Sequence, residues 1–344
     1  MASLAVLLKL RGHIVSGSDE NVYPPMSDFL AENNVAVHKG FSPKNLEPLP
    51  DLVVIGNALS RGNPEIEAVL DLKLPYISMA ELLKEHFIRG KKSLVVTGTH
   101  GKTTTTSMLA WVFETAGKDP GFMIGGIAEN FGTSCRDAKG SFFITEGDEY
   151  DTAFFDKRSK FFHYLPEQLI LNNLEFDHAD IFNSLDEIKK AFRLMLRLIP
   201  KSGLIAANGD DPNVQDVLHS ANSPVIRFGF GESCDVRAEN IITSASGTKF
   251  DIFDKRQGEF SQKQEFELNL AGKYNVLNAM GVITLARHNG IADRDLQGAF
   301  NSFKCVRRRQ ELRGEVNGIA AVSYTHLRAH ETREDSGLRL VGEK

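Results

Sequence analysis

Cysteine is scarce in this chain. The three present, Cys135, Cys234 and Cys305, lie far apart and without metal-ligand spacing. Such usage argues against a disulfide framework or a cysteine-held metal and for free thiols in a reducing compartment. Positive charge is not in excess either: the net charge of -5 provides no basic field, so nucleic acid is not an expected partner. Long apolar runs are missing, and no stretch approaches the roughly 20 residues of a membrane-spanning helix. The apolar run Leu4 to Leu8 precedes Lys9 and Arg11, the reverse of the order in a secretory signal. A cytoplasmic protein without a membrane partner is therefore expected. Internal repeats and low-complexity tracts are absent as well. At 344 residues, with 42% hydrophobic and 25% charged, the chain has room for two or three globular domains.

The stretch that organises the rest is Val95-Val96-Thr97-Gly98-Thr99-His100-Gly101-Lys102-Thr103-Thr104. Ser93 to Thr97 reads as a buried strand and is followed by a turn with two glycines. A helix opens at Lys102, with apolar residues at Met108, Leu109, Val112, Phe113 and Ala116 and a stop at Gly117. Strand, glycine turn and helix together form a phosphate cradle, with turn N–H groups and the positive helix end facing an anion. Lys102 would reach the β- and γ-phosphates, and the Thr103 hydroxyl would serve a Mg²⁺ ion. The motif is a short form, because valine stands at position 96 where the full phosphate-loop pattern has glycine.

Before the cradle, the pattern reads as a helix over residues 1–10 and a strand over 13–17 that ends at Ser18-Asp19. An acidic residue there can accept a hydrogen bond from a ribose hydroxyl, and a turn aspartate accounts for it equally well. Strands at 35–38, 52–55 and 75–78 alternate with helices at 27–33, 64–72 and 79–87, which implies a parallel sheet with helices on its faces. The loop 56–65, with Ser60 and Asn63, follows a strand's carboxyl end, where such sheets bind ligands. Arg89 to Lys92 form a polar hinge, so one domain is placed at 1–90 and the next at 91–305.

In the second domain, strands at 141–145, 169–173 and 203–207 are expected, with a helix from the capping box Ser184–Glu187 to Ile199 and another at 275–288. Residues 224–270 carry β signals expected to form an antiparallel flap or small separate sheet. The first two strands end in carboxylates. One runs into Glu146, Asp148, Glu149 and Asp151, and the other into Glu175, Asp177, His178 and Asp180. Three strand ends are thus expected on one sheet edge: the cradle, Glu146 with its neighbours, and the His178 segment. Mg²⁺ uses few carboxylates plus substrate phosphates, which Thr103 and Glu146 would suit, and a second ion near His178 is open.

These motifs resemble those of the ATP-dependent Mur ligases of peptidoglycan synthesis. The family's Thr-Gly-Thr-X-Gly-Lys-Thr corresponds to Thr97–Thr103, its Glu-X-Asp-Glu to Glu146–Glu149, and its Asn-X-Glu-X-Asp-His-X-Asp to Asn173–Asp180. Its His-Asn-X-X-Asn corresponds to Asn275 and Asn278, with Tyr274 in place of the histidine, and Arg307 to Glu311 resembles its arginine-rich segment. Within the family, Tyr150 to Phe161, Gly121 to Gly126 and Asn21 to Ser27 resemble the murein peptide ligase branch.

The resemblance implies a Rossmann-like N-terminal α/β domain, incomplete here, and a central P-loop-type ATPase α/β domain with a mostly parallel sheet. It implies ATP and Mg²⁺ as cofactors and UDP-N-acetylmuramate and the murein tripeptide L-alanyl-γ-D-glutamyl-meso-diaminopimelate as substrates, joined through an acyl-phosphate. Lys102, Glu146 and His178 would be catalytic. ATP would meet Gly98, Thr99, His100, Gly101, Lys102, Thr103, Thr104, Asn275, Asn278 and Arg309. Thr103, Glu146 and His178 would hold metal, and Ser18, Asp19, Ser60, Asn63, Gly125 and Gly126 would line the sugar-nucleotide site.

The resemblance covers about residues 1–322. It lacks the family's first strand and glycine turn, so weak UDP-sugar binding is expected. Residues 306–344 read as the start of a third domain with an aberrant, poorly ordered tail at 323–344, and the chain as given is expected not to complete the ligation. Two alternatives stay open: the L-alanine-adding ligase of the same family (with folylpolyglutamate synthase more distant), and a non-catalytic ATP-binding module. Oligomeric state is not legible.

Overall fold

The computed structural model describes residues 1–176, 182, 184–244, 246–257, 263–306, 309–316 and 319–324, the last two stretches as backbone. Helix α1 (Ala2–Leu10) buries Leu4, Val6 and Leu7. Strand β1 (Ser16–Asp19), helix α2 (Met26–Glu32) and strand β2 (Ala36–Lys39) follow, and the two strands pair in parallel with Ser16 opposite Ala36. Strand β3 (Val53–Ile55), helix α3 (Pro64–Asp71) and strand β4 (Tyr76–Ser78) repeat the arrangement, with Val53 opposite Tyr76. Helix α4 (Met79–Leu83) opens on a capping box between Ser78 and Glu81 and continues into a π-helical turn, Lys84–Ile88.

Two expectations change here. The single parallel sheet is two separate pairs, because the stretch between β2 and β3 forms a 3-10 turn, Pro43–Leu46, and adds no strand to join them. The first strand begins at Ser16, not His13. The His13 N–H is spent on Leu8 O and Gly12 turns at φ +89°, so both residues finish the helix.

The central part runs β5 (Lys92–Thr97), α5 (Lys102–Thr115), β6 (Gly121–Ala128), β7 (Thr133–Arg136), β8 (Phe142–Gly147), a hairpin of β9 (Asp151–Ala153) and β10 (Asp156–Ser159), and β11 (Gln168–Leu171). It continues through α6 (Leu185–Leu196), β12 (Leu204–Asn208), α7 (Pro212–Leu218), β13 (Val225–Gly229), β14 (Val236–Ser244), β15 (Gly247–Asp254), β16 (Gln264–Leu268), α8 (Lys273–His288) and α9 (Asp293–Ser302). Among the described residues, ten of these strands form one sheet in the order β16-β15-β14-β13-β12-β11-β5-β8-β6-β7. The run from β14 through β13, β12, β11, β5 and β8 to β6 is parallel, and β7, β15 and β16 are antiparallel additions at the edges. After these, β17 (Arg309–Val316) pairs antiparallel with β18 (Ile319–Tyr324).

Period-two alternation splits the core into two faces. Leu94, Val96, Ile170 and Ala206 point into one cluster with α5, α8 and α9. Val95, Leu169, Leu171, Ile205 and Ala207 point into the other, with α1, α4, α6 and α7. Strands covered on both faces read as unbroken apolar runs, which is why β5, β8 and β11 were legible. Helix α8 approaches the sheet closely at Gly281, where an added Cβ would lie 2.8 Å from Ile170 Cγ2.

The antiparallel character expected for 224–270 is present, but not as a flap: β13 joins the parallel sheet, and β14 to β16 extend the same sheet to its edge. Strands β6 and β7, the β9–β10 hairpin and helices α7 and α9 were not expected. The tail also differs, since β18 runs through Ser323 and Tyr324, while 325–344 lie outside the described residues. Among the described residues no helix is long and apolar enough to cross a membrane.

Candidate active site

Strands β11, β5 and β8 are adjacent, so the segments that leave their carboxyl ends start side by side. From β5 the chain enters the glycine turn. Gly98 has φ +131°, and a Cβ there would lie 2.9 Å from Asn173 O; Gly101 has φ +81°, and its Cβ would lie 2.7 Å from Asn278 Oδ1. A side chain at either position meets both backbone strain and a collision, so these glycines are demanded by the turn. Gly101 is the N-cap of α5 and supplies no side-chain cap, which leaves the first-turn N–H groups open to an anion.

The turn is zipped to the segment leaving β11. Thr99 N–H donates to Asn173 O at 3.1 Å and His100 N–H to Asn173 Oδ1 at 2.7 Å. Glu175 N–H donates to Thr99 Oγ1 at 2.8 Å, and His100 Nε2 lies 3.5 Å from a Glu175 carboxylate oxygen. Behind the turn, Asn172 Nδ2 donates to Thr105 Oγ1 at 3.0 Å.

Lys102 points back over the turn. Its Nζ donates to Gly98 O at 2.7 Å and lies 3.2 Å from Glu149 Oε2, with Glu149 only 2% exposed. Burial alone would lower the Lys102 pKa, but Glu149, Asp148 and Glu146 outweigh it and hold the ammonium above its ordinary value. Thr103 Oγ1 donates to Glu146 Oε2 at 3.0 Å, and Glu146 Oε1 accepts from Gly125 N–H at 2.5 Å. A Cβ at Gly125 would sit 2.9 Å from that oxygen, and one at Gly126 would sit 2.6 Å from Val306 Cγ1. Glycine at these β6 positions lets a neighbouring carboxylate and side chain pass close to the backbone.

The donor set suits a hard cation bound with a polyphosphate. Thr103 and Glu146 offer two oxygens at one point, and Mg²⁺ takes its remaining ligands from phosphate and water. Among the described residues, no cluster of three or more His, Cys, Asp or Glu side chains forms an all-protein metal cage. His178 lies outside the described residues, as do Asp177 and Asp180; Arg309 is described as backbone, at the start of β17. Thr104 borders the cradle, with Oγ1 4.0 Å from Cys305 Sγ. Asn278 is buried against Gly101, whereas Asn275, also buried, donates to Ala271 O at 2.8 Å within its own helix start.

The N-terminal candidates sit elsewhere. Asn63 Oδ1 caps α3, accepting from Glu65 N–H at 2.9 Å. Glu65 Oε1 in turn accepts from Asn45 Nδ2 at 2.7 Å, and the same amide lies 3.3 Å from Ser18 Oγ, so β1 and the first turn of α3 are tied together. Asn45 was missed by sequence reasoning, since nothing in a turn asparagine announces a bridging role. Asp19 and Ser60 are exposed, and Asp19 accepts from Asn21 N–H at 3.0 Å. A cavity of about 230 Å³ links this half to the cradle, with Asn57 and Met79 on one side and Gly125, Glu146, Asp148 and Lys160 on the other.

The chain matches known proteins over most of its length. Residues 96–286 match the Mur ligase middle domain, and residues 1–90 match the Mur ligase family catalytic domain. A UDP-N-acetylmuramate--L-alanyl-gamma-D-glutamyl-meso-2,6-diaminoheptandioate ligase of Haemophilus influenzae is 45% identical over 319 residues, covering 93% of this chain and 69% of that protein. A UDP-N-acetylmuramate--L-alanine ligase of Clostridium botulinum is 34% identical, covering 95% of this chain and 69% of its own. The crystal structure of the corresponding diaminopimelate-peptide ligase of Neisseria meningitides superposes with a TM-score of 0.82 at 43% identity, covering 90% of this chain and 96% of that one. A glycine turn on β5, a carboxylate on β8 beside it and matches of this extent leave one assignment: the chain belongs to the Mur ligase family.

Proposed function

We propose that the protein is a cytoplasmic, ATP-dependent ligase of cell-wall recycling that joins the lactyl carboxylate of UDP-N-acetylmuramate to the free amine of L-alanyl-γ-D-glutamyl-meso-diaminopimelate. The observation that carries this reading is the pairing of Lys102 with Glu149 and of Thr103 with Glu146 at the ends of neighbouring parallel strands. Residues 1–90 form the sugar-nucleotide unit and 91–305 the ATP unit. Higher identity to the tripeptide ligase (45%) than to the L-alanine ligase (34%) favours the tripeptide as amine donor.

The muramate carboxylate attacks the γ-phosphorus of ATP, the bond to the β–γ bridging oxygen breaks, and ADP leaves. The peptide amine then attacks the acyl carbon, phosphate leaves with the acyl oxygen, and an amide remains. Lys102, kept protonated by its acidic neighbours, spreads the negative charge of the phosphoryl group in flight. Gly98, Thr99 and His100 shape the turn, the first turn of α5 after Gly101 offers backbone N–H groups to the phosphates, and Thr104, Asn275, Asn278 and Arg309 would contact the nucleotide. Thr103 and Glu146 would hold Mg²⁺, and Glu146 with His178 would serve a second ion. The metal would supply electrostatic neutralisation of the phosphates. Ser18, Asp19, Ser60, Asn63, Gly125 and Gly126 line the path of the sugar nucleotide.

Positional isotope transfer tests the reading. With ¹⁸O in the muramate carboxylate, the reaction places one ¹⁸O in the released phosphate, and both UDP-N-acetylmuramate and tripeptide are needed for turnover. Unlabelled phosphate would contradict the acyl-phosphate route.

A further inference from the structure

The cavity between Asn57 and Glu146 is walled by side chains whose hydrogen-bonding groups are unspent. Thr145, on β8 one residue before Glu146, is 1% exposed, and its Oγ1 has no hydrogen-bond partner among the described residues. Tyr164 follows the 3-10 turn Lys160–His163 and is buried, and its phenol makes no hydrogen bond among the described residues. Burial, then Asp148 and Glu146, push the Tyr164 pKa up, so the phenol keeps its proton as a donor. Lys160 opens the same turn. Its Nζ lies 3.6 Å from Asp148 Oδ2, too far for a hydrogen bond, and 5.9 Å from the centre of the Tyr150 ring. No other cationic side chain lines this cavity among the described residues.

An unsatisfied buried polar group is costly, and folded proteins ordinarily leave few of them. Here three face one small space. An ammonium and two hydroxyls can all donate, so a ligand that completes them brings acceptor oxygens. The rest of the lining narrows the choice. Glu146 lines the same cavity and meets Thr103 at the cradle, which puts those acceptor oxygens beside the phosphate site. An anionic ligand entering there meets the like charges of Glu146, Asp148 and Glu149. Glu149 is answered by Lys102 at 3.2 Å, whereas the long Asp148 contact keeps the Lys160 ammonium at the wall without using its N–H groups. A carboxylate can therefore approach only where Lys160 receives it, through charge-assisted hydrogen bonds.

We propose that Lys160, with the hydroxyls of Thr145 and Tyr164, grips the carboxylate of the acid substrate and holds it for phosphorylation. The inference rests on the ligase reading above. That reading already includes the cavity; the addition is the set of groups that selects a sugar nucleotide bearing a carboxylate over one without it. Lys160 binds and orients the acid and takes no part in bond making.

The test is equilibrium titration of UDP-N-acetylmuramate and of UDP-N-acetylglucosamine, which lacks the lactyl carboxylate, with Mg·ATP titrated in parallel. Variants are Lys160→Met, Thr145→Val and Tyr164→Phe. The control is Lys157→Met, whose side chain pairs with Asp151 at 2.8 Å and is absent from the lining of this cavity. Loss of the charge-assisted contact predicts about tenfold weaker UDP-N-acetylmuramate binding in Lys160→Met. Loss of one hydroxyl predicts about threefold in each of the other two. UDP-N-acetylglucosamine and Mg·ATP bind all variants as they bind the wild type, and Lys157→Met changes nothing. A Lys160→Met protein that weakens both sugar nucleotides equally, or neither, overturns the inference. So does a wild type that binds Mg·ATP but does not prefer UDP-N-acetylmuramate. Failure of the wild type to bind Mg·ATP instead overturns the ligase reading itself.

Discussion

Thr103 Oγ1 lies 3.0 Å from Glu146 Oε2, so the first turn of α5 and the end of β8 present their oxygens at the same point. The register of the sheet produces this contact. Val96 stands opposite Glu146 in the parallel β5–β8 ladder, and α5 begins a few residues beyond. Replacing Glu146 by glutamine keeps the shape and the Gly125 contact while removing a charge. The expected result is a Mg²⁺ requirement for ATP binding raised about tenfold, the equivalent of about 1.4 kcal/mol, with an unchanged thermal midpoint. Magnesium titration at fixed ATP reads the first quantity and calorimetric unfolding the second.

The turn itself is tested at Gly101. Alanine there is strained by φ +81° and meets Asn278 Oδ1 at 2.7 Å. A loss of about 1–3 kcal/mol of stability is expected, together with loss of ATP binding. Alanine at Gly132, also at positive φ but with nothing within 4 Å of the added Cβ, should leave ATP binding intact.

Close packing of α8 on the sheet is tested at Gly281. A valine there collides with Ile170 and Phe228, so about 1–3 kcal/mol of destabilisation is expected by denaturant unfolding.

Acid sensitivity has a local source in His163, which is 4% exposed and places Nε2 2.9 Å from Asp156 Oδ2. Burial lowers the His163 pKa from its ordinary value, and Asp156 only partly offsets this. The unfolded chain therefore takes up the His163 proton first, and stability falls as pH drops below about 6.5. Asp156, held well below the usual carboxylate range chiefly by Arg158, stabilises above about pH 3.9 and loses that effect only at lower pH. Urea unfolding at about pH 7 and pH 5.5 should show a loss in the wild type that is smaller in His163→Gln.

Much of this fold was legible because its central strands are covered on both faces. Ser93 to Thr97 and Leu169 to Leu171 are apolar without interruption, and the glycine turn follows one of them. The acidic turn at Glu146 was legible as chemistry for the same reason, since it sits where a buried strand must end. Strand β6 was not, because Gly125 and Gly126 break its pattern to let Glu146 and Val306 approach. The β9–β10 hairpin was hidden by its charge: Asp156, Lys157 and Arg158 look like a solvated loop, yet Asp156 is anchored to His163. Glu149 stood in a quoted motif, but only the structure puts it against Lys102. Asn45 joins strand β1 to the first turn of α3 through side-chain contacts that no local pattern encodes.

The account turns on a triphosphate held at Lys102, and binding of Mg·ATP to the wild type and to Lys102→Ala measures this most directly. Removing the ammonium from among Gly98 O, Thr99 O and Glu149 should weaken binding about 100-fold, or about 2.7 kcal/mol. Lys102→Arg should not restore it, because a planar guanidinium cannot take the place of a compact ammonium in so narrow a turn. Equal affinity in wild type and Lys102→Ala would contradict the account.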